Sequence, residues 1–324
     1  MIYLPLRLIS FLLIFLLYGV PHSSLVLADN ASTAKLNGFN LVGALIPKSE
    51  ILSGGPPKDG IPAINRPKFI TSEQAHFLDD SDRVLGVVID GIAKAYPVRI
   101  LNWHEIVNDR LGDQSFVVTF CPLCGTGVVF NSKLSDDSIA SFGVSGLLYN
   151  SDVLLYDRET ESLWSQILKK AVTGPLKGQL LTMIPIQHTT WSDWQSRYPS
   201  TIVLSTDTGF IRDYNRNPYE GYERSRRLYF TVSLDAPSRY HPKERVLGVE
   251  INGQFKAYPF LELNRNKQDV FDDQLAGKNY QVHWDSQAEN AYITNKEGEL
   301  LPAIVGFWFA WYTFHPSTQV FSVP

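Results

Sequence analysis

A chain of 324 residues with only two cysteines is no disulfide scaffold, and it is long enough to bury a core without covalent staples. Its 29 lysines and arginines against 33 aspartates and glutamates leave a formal charge of −4, which argues against a nucleic-acid partner. Length alone suggests about two domains.

Residues 1–28 read as a signal peptide. Arg7 supplies the positive n-region, the stretch from Ile9 to Val20 is apolar apart from Ser10 and Gly19, and Val26-Leu27-Ala28 suits the small-residue cleavage rule. The expectation is export to the periplasm or the extracellular space, cleavage after Ala28, and no membrane attachment afterwards. An uncleaved anchor is the alternative, but the run falls short of the ~18 apolar residues of a spanning helix. Removing the segment, which carries only Arg7, leaves 28 basic against 33 acidic residues, a charge of −5. Arg224, Arg226 and Arg227 form the one dense basic cluster and read as solvated surface.

Residues 29–82 form an N-terminal arm. Within it, Ser53-Gly-Gly-Pro-Pro-Lys58-Asp59-Gly-Ile-Pro62 is too rich in glycine and proline for a helix or a central strand. An internal repeat then begins. Arg83-Val-Leu-Gly-Val-Val-Ile-Asp90-Gly91-Ile-Ala-Lys94-Ala-Tyr96-Pro97 returns 162 positions later as Arg245-Val-Leu-Gly-Val-Glu-Ile-Asn252-Gly253-Gln-Phe-Lys256-Ala-Tyr258-Pro259. Each copy predicts a β-hairpin closed by an Asp-Gly or Asn-Gly turn, with the proline ending the pairing. The fold class expected is therefore α+β and β-dominated, with two similar halves at 83–235 and 236–324 and few short helices.

After the first hairpin, Asn102 is placed to cap a short helix, with Glu105 completing a capping box. The strand from Ser115 to Phe120 aligns with Asn279 to Trp284, and there the copies part. The first continues Cys121-Pro-Leu-Cys124-Gly125, the second Asp285-Ser-Gln-Ala-Glu289. Further on, short apolar runs at 143–149, 153–156 and 202–205 predict strands. The segment 191–198 predicts a helix capped by Thr190 with Asp193. Alternation from Arg158 through Thr160, Ser162, Trp164 and Gln166 predicts a strand with one polar face. Tyr214, Tyr219 and Tyr222 lie on a loop broken by Pro218 and Gly221, and Phe307 to Tyr312 reads as a buried strand.

A feature needed by the shared fold should appear in both copies, so cysteines present in one copy point to chemistry. A Cys-x-x-Cys pair can attack and resolve a disulfide on a small thiol or a protein partner, with His104 tuning the thiolate. It can equally hold zinc or copper, with His104 as a third ligand. A structural disulfide across the turn is the third reading, in which a ligand would bind instead on the tyrosine loop and the polar face. Proline follows Cys121 rather than preceding Cys124, and no helix follows, so a thioredoxin arrangement is not expected. No nucleotide-binding or flavin motif is present.

Taken together, the chain resembles the family called domain of unknown function 3179, over roughly residues 50 to 320. The resemblance rests on Gly54 to Pro62, Trp103-His104-Glu105-Ile-Val-Asn108-Asp109, Thr119-Phe-Cys121-Pro-Leu-Cys124-Gly-Thr126, Phe142 to Gly146, Tyr156 to Gln166 and Asn217-Pro218-Tyr219. It implies this architecture in an exported protein and brings no reaction or cofactor with it. It also implies that Asp59, His104, Arg158, Trp164, Gln166 and Tyr219 belong to family motifs and could share a ligand site.

Overall fold

The computed structural model describes Met1 and residues 35–323, so the signal peptide read over residues 1–28 lies outside the described residues. Strands dominate, and the described residues contain four α-helices of seven residues each. None is long and apolar enough to cross a membrane.

The hairpins form where the repeat predicts them. Arg83–Ile89 pairs antiparallel with Ile92–Pro97, and Arg245–Ile251 pairs with Gln254–Pro259. Asp90 and Asn252 adopt φ of 49° and 51°, the left-handed values that a two-residue hairpin turn needs. Each hairpin is followed by a helix, Val98–His104 or Phe260–Asn266, and then by an antiparallel pair, Ile106–Leu111 with Gln114–Cys121 or Val270–Leu275 with Lys278–Asp285. A polar triad, buried in the first copy and half-buried in the second, ties each hairpin to this pair. Lys94 Nζ and Tyr96 OH both donate to Asp109 Oδ2, at 2.7 and 2.5 Å. In the second copy Lys256 Nζ and Tyr258 OH donate to Asp273 Oδ2, at 2.6 and 2.8 Å.

The repeat extends further than the hairpins. Trp191-x-x-Trp194 with Pro199-Ser200-Thr201 returns 117 positions later as Trp308-x-x-Trp311 with Pro316-Ser317-Thr318. Each tryptophan pair lies on a short helix, Trp191–Arg197 or Trp308–Phe314. Trp194 Nε1 donates to Thr201 Oγ1 at 2.9 Å, and Trp311 Nε1 to Thr318 Oγ1 at 3.0 Å. The preceding strand lies antiparallel to the hairpin in both copies, and the following strand runs parallel to it. The spacing falls from 162 to 117, so the first copy carries 45 extra residues between hairpin and tryptophan helix.

These extra residues make a sheet of their own, in the order Lys170–Ala171, Leu163–Ser165, Asp152–Asp157, Phe142–Tyr149 and Ile51–Ser53. The last strand comes from the arm, so the arm is part of the packed body. The two copies share a larger sheet. Its order is Gln319–Val320, Gln254–Pro259, Arg245–Ile251, Ile304–Phe307, Thr126–Asn131, Gln114–Cys121 and Ile106–Leu111, with Met183–Ile184 also paired to Thr126–Asn131. Val305 opposite Gly127 is the seam between the copies.

Three expectations are corrected. Asn102 does not open a helix; the helix starts after Pro97 and ends at His104, and Glu105 is its C-cap with φ 58°. Proline at the N-cap presets the entry, which propensity at Asn102 could not override. Phe307 to Tyr312 is not one strand: the strand Ile304–Phe307 ends there and a helix begins at Trp308. Continuous apolarity hid the three-residue spacing of its tryptophans. Arg158 to Gln166 is not one strand either, because residues 158–162 turn back between Asp152–Asp157 and Leu163–Ser165. Asp157 Oδ1 accepts from the Thr160 N–H and hydroxyl, both at 2.7 Å, and this closes the turn.

Gly86 and Gly248 are equivalent positions, and a Cβ on either would lie 2.2 Å from the ring of Trp194 or Trp311. Gly86→Ala and Gly248→Ala are each expected to cost ~1–3 kcal/mol by overpacking, read as a lowered urea midpoint at unchanged slope.

Candidate metal centre

Cys121 ends the strand Gln114–Cys121, and Thr126, its partner across the hairpin, opens the next. The loop between them closes through Cys124 N–H to Cys121 O at 3.2 Å. Gly125 takes φ 62° beneath Phe307, whose ring atoms would lie 2.8 Å from any Cβ added there. The Cys124 carbonyl in turn accepts from Phe307 N–H at 2.7 Å, so the second copy grips the cysteine loop of the first. Both thiols are free, at 1% and 0% exposure.

Asp152 is the third member of the cluster. One donor atom each from Cys121, Cys124 and Asp152 lie within 4.8 Å of one another. The aspartate opens a strand of the extra sheet, after Asn150 and Ser151 turn the chain with φ of 53° and 64°. Asn150 Oδ1 accepts from Ser233 N–H at 2.7 Å and Ser151 Oγ donates to Phe230 O at 3.1 Å, which pins that turn to the segment joining the copies. The Ser151 carbonyl accepts from Cys121 Sγ at 3.5 Å. Asp152 is fully buried; its Oδ2 accepts from Ile167 N–H at 3.1 Å, while its Oδ1 has no hydrogen-bond partner.

The surroundings hold the acids in their neutral forms. Burial pushes the Asp152 carboxyl up to about 8. Burial, together with Cys121 and Asp152, pushes the Cys124 thiol well above its ordinary value. Glu105 is also buried and rises to about 8, first through burial and then through Asp152. Tyr222 completes the surroundings. Its ring is buried with the Lys243 ammonium 3.9 Å from its centroid, its hydroxyl has no partner, and burial with the nearby cysteines raises its ionisation.

His104 does not belong to this cluster, which corrects its reading as a third ligand or a modulator of the thiolate. Its Nδ1 lies 2.7 Å from the Pro62 carbonyl, which only accepts, so Nδ1 carries the proton. Its Nε2 lies 2.7 Å from Tyr214 OH, so both ring nitrogens are engaged. Burial pushes the ring below its ordinary value, in keeping with a neutral imidazole. Its work is to fasten the arm and the tyrosine loop to the first copy.

The other residues singled out in the sequence are spread across separate contacts. Asp59 accepts from Arg158 Nη2 at 3.0 Å and from Tyr156 OH at 2.5 Å, which locks the arm onto the extra sheet. Trp164 Nε1 donates to Asp157 Oδ2 at 2.9 Å in the core. Gln166 bridges the extra sheet to the cysteine hairpin, donating to Thr119 Oγ1 at 2.8 Å and accepting from Thr126 Oγ1 at 2.5 Å. Tyr219 is near the cluster, its ionisation raised by burial, then Glu105 and Cys121. With Asn102, Phe120, Pro122, Asn217 and Tyr222 it lines a cleft of about 260 Å³ against the outer side of the cysteine loop. Asp152 was missed in the sequence, although an acid opening the apolar run Val153-Leu-Leu-Tyr156 is itself a signal.

The family described as "Protein of unknown function (DUF3179)" matches residues 58–299, three quarters of the chain. The chain belongs to this family. No curated protein and no solved structure matches. The DUF3179 match begins at Lys58, beside the Asp59 lock, and spans the cysteine loop, Asp152 and Tyr222. It ends before the second tryptophan helix.

Glu105 yields a test of these electrostatics. Its folded carboxyl holds a proton up to about 8, whereas the unfolded one releases it near 4.5, so its ionisation erodes stability as pH rises between those values. Glu105→Gln removes that erosion. Its melting temperature relative to the parent is expected to increase from about pH 5 to about pH 8, and a pH-independent difference by differential scanning fluorimetry would contradict the buried, neutral carboxyl.

Proposed function

We propose that this protein binds a single zinc-type cation through Cys121, Cys124 and Asp152. The observation that carries the reading is the convergence of donor atoms from three buried residues within 4.8 Å, one of which, Asp152, has a carboxylate oxygen, Oδ1, without a partner. Three ionisable acids packed out of water cannot all be charged unless a cation compensates them. Two thiolates and a carboxylate suit zinc, whereas Cu(I) favours an all-soft set. Three protein ligands leave one tetrahedral position, and the unpartnered Tyr222 hydroxyl supports a water or a phenol there. Export, as residues 1–28 suggest, fits this reading, since a bound cation shields vicinal thiols from oxidation.

Thiol/disulfide exchange is the second reading, favoured by two free thiols side by side. Its requirement for a reachable thiolate is opposed by their burial and by the raised Cys124 thiol. One experiment separates the two. Protein purified anaerobically without chelator is expected to carry about one zinc per chain by plasma mass spectrometry. The metal should be lost in Cys121→Ser and strongly depleted in Asp152→Asn, and kept in His104→Gln. A metal-free protein whose thiols cycle reversibly through a disulfide would sink the metal reading and favour exchange.

Because metal must displace protons from Cys124 and Asp152, apparent zinc affinity is expected to rise with pH up to and beyond about 8. Competition with a chromophoric chelator at stepped pH measures the slope. A flat profile would mean that these groups are not the ligands.

A further inference from the structure

A second cleft, of about 580 Å³, opens where the tryptophan helix of the first copy faces the meander of the second. It is larger than the cleft at the cysteine loop and falls within the range of small-molecule sites, ~300–1,000 Å³. Two close ring pairs line it, one tilted by 38° and one stacked. Trp194 and Tyr198 lie 4.3 Å apart on the first-copy side, and His283 and Tyr292 lie 4.5 Å apart and within 4° of parallel on the second-copy side. Trp194 is buried and fixed by Thr201, whereas Tyr198, His283 and Tyr292 are partly exposed.

The polar groups among these rings carry little net charge. Arg197 stands 5.6 Å from the Tyr198 centroid, donates from Nε to Asp193 Oδ1 at 2.9 Å, and bonds Gln187 Oε1. His283 shares a 2.9 Å hydrogen bond with Thr294 Oγ1, and burial lowers its pKa. Gln281 adds an amide, donating to Asp272 at 3.1 Å. Gln187 Oε1, which lines the cleft, also accepts from Asn290 Nδ2 at 3.2 Å.

We propose that this cleft binds a neutral saccharide of one or two rings. Flat aromatic faces accept the C–H face of a sugar, and the surrounding amides, guanidinium and hydroxyl match its hydroxyls as donors and acceptors. The Arg197–Asp193 pairing and the neutral His283 select against a strongly charged ligand. A planar heterocycle would fill the space between the rings but offer fewer hydroxyls for the side-chain amides of Gln187 and Gln281. The equivalent pair of the second copy is Trp311 and His315, 4.4 Å apart, but there Phe255 stacks on His315 at 4.0 Å and burial holds His315 down at about 3.

The probes are cellobiose, maltose and N,N′-diacetylchitobiose, with tryptophol as the planar aromatic control, titrated into the full chain by calorimetry and saturation-transfer NMR. At least one disaccharide is expected to bind saturably, with affinity falling ~10-fold or more in Tyr292→Ala and several-fold in Gln281→Ala. Metal content should be unchanged in both, since the proposal is independent of the cysteine site. Gln281 is partly exposed, so its variant carries the test if Tyr292→Ala fails to fold. No saturable binding of any sugar, equal affinity in both variants, or binding of tryptophol alone would each overturn the proposal.

Discussion

The structure depends on one crossing of two chain segments, where the strand Ile304–Phe307 of the second copy lies against Thr126–Asn131 of the first. Each strand carries a glycine at the crossing, Gly127 opposite Val305 and Gly306 beside it, for a steric reason. A Cβ on Gly127 would lie 2.4 Å from Leu85, and one on Gly306 would lie 2.5 Å from Thr126. Close approach lets Phe307 N–H reach the Cys124 carbonyl and place its ring under Gly125. The cysteine loop is thereby shaped by the copy that has no cysteines. In the second copy the corresponding loop ends in Glu289, which adopts φ 45° and bonds Arg245 at 2.9 Å, with Arg83, the equivalent residue of the first copy, also reaching it. One loop carries ion pairs to the arginines of both copies, and the other is held by the Phe307 N–H.

The cluster and its tyrosines come from what the second copy lacks. Asp152 comes from the extra sheet, Tyr219 and Tyr222 from the segment joining the copies, and the thiols from the altered loop. Gln166 binds the extra sheet to the repeated framework, and the turn at Asn150 and Ser151 binds it to the joining segment. The result is a dry pocket of acids on a rigid base, which makes their protonation expensive to change without a compensating cation.

Much of the framework was legible in the sequence because its signals are local. The Asp-Gly and Asn-Gly turns, the hairpin strands that flank them and the Thr190 cap each act within a few residues, and each formed as read. The failures share a different cause. Arg158 to Gln166 alternates like a strand, but Asp157 turns the chain back on itself, and Phe307 to Tyr312 is apolar enough to hide a helix. The site was half legible: the cysteine pair stood out by chemistry, while Asp152 and His104 were decided by tertiary placement. His104 looked available beside its motif until Pro62 and Tyr214 took both ring nitrogens from opposite sides.

The seam at Gly127 and Val305 also ends the modularity that a repeat usually confers. Two similar units invite dissection, yet a fragment ending between them would present the first half of Thr126–Asn131 as an unpaired edge, flat, apolar and open to other chains. The second unit alone would keep Ile304–Phe307 paired to Arg245–Ile251 but lose its neighbour on the other side. Duplication here produced a single inseparable body, in which the spare copy survives as the mould for the other's loop.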